Sequence, residues 1–180
     1  MASASFDVSQ SPMTNYNIAL GVCGGIAAYK AVEVMRGLQR AGCVVRVAMT
    51  KRACEFVQPL TFRALSGSHV VVDDYAADNP DPIAHINFSQ TTDLLIVAPA
   101  TANIIAKFAH GIADDFLTTL YLATTAPVIV APSMNVNMWQ HAATQANVET
   151  LAGRRSGDTH PRHSGLQRPL CARPFVLAHR

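Results

Sequence analysis

Charge is scarce in this chain of 180 residues: Asp, Glu, Lys and Arg make up 14% of it, against 49% apolar residues. A soluble domain ordinarily carries about a quarter charged residues. The apolar content excludes disorder for most of the chain, and the shortage of charge predicts that part of the surface is covered by further copies. No apolar run approaches the ~20 residues that span a bilayer, so no membrane association is expected. Residues 1–15 are rich in Ser, lack the basic start and apolar stretch of a secretion signal, and are expected to be disordered. The expected location is the cytoplasm. Cysteine is also sparse: Cys23, Cys43, Cys54 and Cys171 form no CxxC pair. Reduced thiols therefore fit better than zinc or disulfides, and no metal is expected.

The net charge of +2 is unevenly spread, because residues 153–180 hold six arginines against Asp158 and so carry +5, leaving −3 elsewhere. A mildly acidic body argues against nucleic acid as a partner, since nucleic-acid binders carry a basic face on the folded domain, and only the tail is basic enough.

What is present is an alternation of β-branched runs with helical patterns over residues 16–151, the signature of a parallel sheet covered on both faces. The spacing predicts strands at 17–22, 43–49, 70–72, 94–97 and 127–131. Ala28, Val32, Met35 and Leu38 form an apolar stripe opposite Lys30, Glu33, Arg36 and Arg40, a helix ended by Gly42. Further helices are expected over 50–65 with a break at Pro59, after Pro99, over 114–123 and over 135–151. Residues 73–82, with four aspartates and two prolines, read as a loop.

In parallel sheets ligands bind outside the carboxyl ends of the strands. That rule gathers Gly24-Gly25, Met49-Thr50, Pro99 to Asn103 and Pro132 to Asn135 on one rim. Gly21-Val-Cys-Gly24-Gly25-Ile26 lies where a strand turns into a helix, so its glycines bring backbone N–H groups to an anion or simply make a tight turn. A dinucleotide site wants an acid at the end of the second strand; Thr50 stands there, which favours a mononucleotide phosphate. In Pro99-Ala100-Thr101-Ala-Asn103 small residues leave room for a flat ring, and a hydroxyl and an amide meet its polar edge; Thr101 reads equally well as a helix cap. His85 is either an unremarkable histidine or an acid–base group shielded by the apolar residues around it. Pro132-Ser-Met134-Asn135-Val-Asn-Met138-Trp139 sets two amides and two methionines beside the only Trp. It reads as a cap with core methionines, or as a pocket for a carboxylate-bearing substrate against an apolar wall.

Together, Gly24-Gly25-Ile-Ala-Ala-Tyr-Lys30, Ala-His85-Ile, the segment 99–103 and the segment 132–139 resemble the flavin-containing cysteine decarboxylases, most closely those acting on 4'-phosphopantothenoyl-L-cysteine in coenzyme A biosynthesis. The resemblance covers residues 16–151. It implies a flavodoxin-like α/β fold, a three-layer arrangement with a central parallel sheet and helices on both faces, binding FMN and assembled as a homotrimer or homododecamer. His85 then matches the active-site histidine and Asn135 the asparagine that holds the substrate carboxylate, with Met134 and Met138 beside it. Gly24, Gly25, Ile26, Thr50, Pro99, Ala100, Thr101 and Asn103 match flavin-binding positions. Two alternatives share the fold: a flavin prenyltransferase and a non-catalytic FMN-binding regulatory subunit.

After residue 151 the family continues with a strand and a substrate-covering loop bearing Ala-Cys-Gly, whereas residues 152–180 hold Cys171 among unrelated neighbours. These residues read either as a basic tail that binds an acidic partner or nucleic acid, or as a stretch out of frame. The second is preferred, with disorder of the segment and an impaired final reduction as consequences.

Overall fold

The computed structural model describes residues 15–73, 76, 81 and 83–154. The expectations for residues 1–14 and 155–180, Cys171 among them, lie outside the described residues. Four strands, β1 (Asn17–Val22), β2 (Val44–Met49), β3 (Leu94–Ala100) and β4 (Val128–Pro132), form one parallel sheet in the order β2-β1-β3-β4. Leu20 stands opposite Val47 on one side and Ile96 on the other, and Ile96 opposite Ile129. Around the sheet lie α1 (Lys30–Arg40), α2 (Pro59–Ser66), α3 (Ala84–Thr91), α4 (Ala102–His110), α5 (Phe116–Ala123), α6 (Val136–Gln140) and α7 (Ala142–Arg154). This is the flavodoxin-like three-layer α/β arrangement expected from the sequence.

Strand periodicity of two sends alternate residues to opposite faces. Ile18, Leu20, Val22, Val45, Val47 and Met49 meet Ala31 and Met35 of α1 and Phe62 of α2 on one face. On the other, Ala19, Cys23, Ala48, Leu95 and Val97 meet Phe88 of α3, Ile104, Ile105 and Phe108 of α4, and Phe116, Leu117 and Leu120 of α5. Each fully buried side chain of this kind contributes about 1.5–3 kcal/mol, so the two cores hold the sheet from both sides.

Several expectations need correction. Residues 70–72 do not form a strand of the sheet: only the bridge Ala48–Val71 is made, the Met49 N–H donating to the Val71 carbonyl at 2.8 Å and the Val71 N–H to the Val47 carbonyl at 3.1 Å. The helix over 135–151 is two helices, because His141 is extended (φ −63°, ψ 133°) and its Nδ1 accepts from the Ala143 N–H at 3.2 Å. The second of them runs on to Arg154, whose guanidinium donates to the Phe108 carbonyl at 3.3 Å, three residues beyond the expected edge of the domain. α5 is packed within the chain: Phe116, Leu117 and Leu120 are buried and only Leu122 is exposed among its large apolar residues. It gives no support to the expectation of further subunits.

Candidate active site

β1 and β3 are neighbours, yet the connection after β1 leads to α1 on one face and the connection after β3 leads to α4 on the other. A crevice opens where two such connections part. The strand ends are tied together there: the Cys23 N–H donates to the Pro99 carbonyl (3.2 Å), the Thr50 N–H to the Val22 carbonyl (3.0 Å) and the Ser133 N–H to the Ala100 carbonyl (2.9 Å). The four segments expected on one rim are thus joined by backbone hydrogen bonds.

The glycine near the end of β1 and the two that follow the strand do different work. A Cβ on Gly21 would stand 2.6 Å from a Leu117 methyl, so this glycine lets α5 approach the sheet and is no part of an anion cradle. A Cβ on Gly24 would stand 2.3 Å from Cγ and 2.6 Å from the backbone carbonyl carbon of Arg52, so Gly24 admits the 3₁₀ turn Lys51–Glu55. Gly25 alone faces open space: nothing lies within 4 Å of its would-be Cβ, in an ordinary extended conformation (φ −167°). It begins the 3₁₀ turn Ile26–Tyr29 with no side-chain cap, leaving the opening N–H groups for an anion. That bare turn is a fit for a phosphate.

Thr50 and Thr101 are half-buried caps, their hydroxyl oxygens accepting from the Ala53 N–H (3.2 Å) and the Ile104 N–H (3.3 Å). Capping uses a lone pair and leaves the hydroxyl proton to donate, so the cap and ligand readings of Thr101 are compatible. Pro99 and Ala100 are buried and support the rim from beneath, whereas Asn103 is exposed in the first turn of α4. Cys23, at the same strand end, is sealed from solvent; burial pushes its thiol up to about 12, with the Thr101 N–H opposing the shift.

His85 occupies the first turn of α3, a helix not anticipated from the sequence, and is half-buried. α3 leads into β3 and packs on α5. Ala84 packs in one cluster with Cys23 and Ala100. Asn135 caps α6, its Oδ1 accepting from the Asn137 N–H at 2.8 Å. No hydrogen bond of its amide nitrogen appears among the described residues. Met134 is half-buried against the core and Met138 is exposed. Sequence reasoning passed over Arg52, which has no motif of its own and is found only through the space Gly24 vacates.

A parallel sheet whose neighbouring strands send their connections to opposite faces, with an uncapped glycine turn at the parting, defines an α/β protein of the mononucleotide-binding kind. The chain belongs to the flavoprotein family, which matches residues 7–160. The coenzyme A biosynthesis bifunctional protein CoaBC of Bacillus subtilis (strain 168) is 52% identical over 139 residues, 77% of this chain and 34% of that protein. The protein of the same name from Escherichia coli (strain K12) is 50% identical over 139 residues, covering 76% and 34%. The chain therefore spans about a third of the length of these relatives. Among solved structures, the FMN-dependent cysteine decarboxylase SpaF superposes with a TM-score of 0.71 at 37% identity, over 79% of this chain and 81% of that one. A PPC decarboxylase mutant complexed with pantothenoylaminoethenethiol gives a TM-score of 0.66 at 29% identity, over 76% and 77%.

Proposed function

We propose that this chain is an FMN-dependent carboxy-lyase, a phosphopantothenoylcysteine decarboxylase that oxidatively decarboxylates 4'-phosphopantothenoyl-L-cysteine for coenzyme A biosynthesis in the cytoplasm. The observation that carries the reading is the parting of the β1 and β3 connections with the bare Gly25 turn between them. Identity of half the matched residues to CoaBC, and the likeness to a decarboxylase complexed with an aminoethenethiol, support the substrate class. The prenyltransferase alternative gains nothing from these relatives.

A cysteine carboxylate has no electron sink, and FMN when bound supplies the two-electron acceptor that converts the thiol-bearing carbon to a thioaldehyde. Gly24, Gly25 and Ile26 offer backbone N–H groups to the cofactor phosphate, and the Thr50 hydroxyl donates beside them. Thr101 and Asn103 serve the polar edge of the ring, with Pro99 and Ala100 as the floor. His85 takes up the thiol proton as the substrate is oxidised. Asn135 donates its free amide N–H groups to the substrate carboxylate, so that the breaking C–C bond overlaps the thiocarbonyl π system, and Met134 and Met138 wall the pocket. Departure of carbon dioxide leaves an enethiol, and the saturated thiol forms poorly because the Ala-Cys-Gly loop is not found in residues 152–180.

Ile26 (80% exposed), Val136 (59%), Tyr29 (55%) and Met138 (49%) line the rim as exposed apolar side chains. They support a homotrimer or homododecamer in which a neighbouring copy closes the pocket, an assembly that light scattering measures. The purified protein is expected to be yellow and to release carbon dioxide from 4'-phosphopantothenoyl-L-cysteine. A colourless protein that does not take up added FMN sinks the reading.

A further inference from the structure

α3 carries the candidate acid–base group, yet Ile83, where it begins, supplies no side-chain cap. The cap comes from two residues earlier. One Asp81 carboxylate oxygen accepts from the Ile83 N–H at 3.0 Å and the other from the Asn87 side-chain amide at 2.8 Å. Successive helical residues turn by about 100°, so Asn87 lies roughly 200° around the helix from His85 and the bridge grips the side turned away from it. The far end of the helix is held as well. Arg46, reaching across from β2, donates to the Phe88 carbonyl at 2.9 Å and to the Thr91 hydroxyl, with its guanidinium carbon 4.0 Å from the centre of the Phe88 ring. Thr91 in turn donates to the Asn87 carbonyl at 2.7 Å. A cation at the last turn of a helix and an anion at the first both suit its dipole. Burial draws the Arg46 guanidinium below its ordinary value, and the Asp81 carboxylate opposes that shift, so the two clamps are coupled through charge as well as through the helix.

We infer that Asp81 and Asn87 are positioning residues for His85: their bridge, set against the Arg46 clamp, fixes the first turn of α3 and so the place of the imidazole at the rim. The inference rests on the catalytic reading of His85 given above. Ala84 and Phe88 already bury the inner side of this eight-residue helix. The bridge adds nothing to that burial; it sets the azimuth and height of the turn.

The test uses the FMN-loaded full chain and 4'-phosphopantothenoyl-L-cysteine, with flavin content per chain, bleaching of the flavin on mixing with substrate, kcat and KM all measured. Asp81→Ala and Asn87→Ala are expected to keep their FMN and KM while kcat and the bleaching rate fall roughly ten- to a hundredfold, the size a misplaced reacting group produces. The exchanged pair Asp81→Asn with Asn87→Asp restores a donor opposite a carboxylate and is expected to recover most of the rate. A purely structural role would lower flavin content and melting temperature without that split or that rescue. Rates per bound flavin within twofold of the parent in both alanine variants overturn the inference, and Asn87→Ala decides alone if Asp81→Ala does not fold. His85→Asn is the control. If it is inactive while the alanine variants are normal, only the positioning role falls; if it turns over normally, the catalytic reading and this inference fall together.

Discussion

The two faces of the sheet are built from different residues and stand in different relation to the site. The face under α1 and α2 is aliphatic and regular, with Ile18, Leu20, Val22, Val45, Val47 and Met49 in register beneath Met35 and Phe62. The opposite face has small residues on β1 and β2, Ala19, Gly21 and Ala48, and larger ones, Leu95 and Val97, on β3, beneath the aromatic rings Phe88, Phe108 and Phe116 on the helices. Phe88 and Phe116 meet edge to face at 5.5 Å, and Phe108 stacks on Tyr121 at 3.9 Å. From the first face come the turns with Gly25 and Thr50, the candidate cofactor anchors; from the second come the helices with His85 and Thr101. The phosphate anchor and the acid–base group thereby fall to separate cores, with Thr101 of the second face serving the ring of the cofactor, and the anchor and the acid–base group should each be breakable without the other.

The largest effect is expected from the aromatic face. His85→Asn should cut substrate turnover by roughly 10²–10⁴, the range supplied by a positioned acid–base group. Flavin absorbance per chain should not change, since no anchor is touched. Loss of FMN together with activity in this variant would mean that the two faces do not divide the work.

The aliphatic face gives the next effect. Gly25→Ala should weaken FMN binding by about ten- to a hundredfold, corresponding to one charge-assisted hydrogen bond of roughly 1.5–3 kcal/mol. The apoprotein should melt as the parent does, because the added methyl group meets no protein atom within 4 Å. Titration with FMN and a thermal melt decide it; a drop in the melting temperature would show that the turn is structural.

Much of this division was legible in the sequence, for reasons that differ between the faces. β1, β2, β3 and β4 announce themselves as short β-branched runs, and the α1 stripe of Ala28, Val32, Met35 and Leu38 has the helical period. The rim followed from strand ends alone. α3 was not seen, because Ala84 and Phe88 are too few positions to establish a period and its cap, Asp81, stands in what reads as an acidic loop. Its clamp needs Arg46, more than thirty residues away, which no local pattern links to it. By sequence Gly21 belongs with the phosphate turn, since glycine at a strand end looks alike whether it admits a ligand or Leu117, and only the packing of α5 separates the two.

That distinction leads to a smaller effect, on stability. Gly24→Ala drives a methyl group into the Arg52 backbone and Gly21→Ala drives one into the buried Leu117 methyls. Overpacking of this kind costs about 1–3 kcal/mol, and Gly24→Ala should lie at the upper end because backbone yields less than a side-chain tip. Urea denaturation of the apoproteins orders them; an equal or reversed order would show that the turn Lys51–Glu55 moves more freely than α5.

The smallest effect lies where the two faces meet the rim, at Cys23. Burial raises its thiol from 9.0 to about 12, with the Asp115 carboxylate adding to the rise and the Thr101 N–H and Lys107 opposing it. The folded state therefore holds the proton more tightly than the unfolded chain, and the contribution to stability is intact below pH 9. It is lost progressively as pH climbs from 9 towards 12, because only the unfolded thiol ionises readily there. At pH 10 the loss is on the order of 1 kcal/mol, one pH unit beyond the ordinary thiol value. Cys43 and Cys54 are shifted in the same direction by burial, so the parent must be compared with Cys23→Ala, which removes this one thiol and leaves the others. The stability difference between the two should be constant from pH 7 to 8.5 and narrow from pH 9 to 10.5. A constant difference across the whole range would mean that Cys23 is not sealed, and alkylation of the native thiol at pH 8 would show it directly.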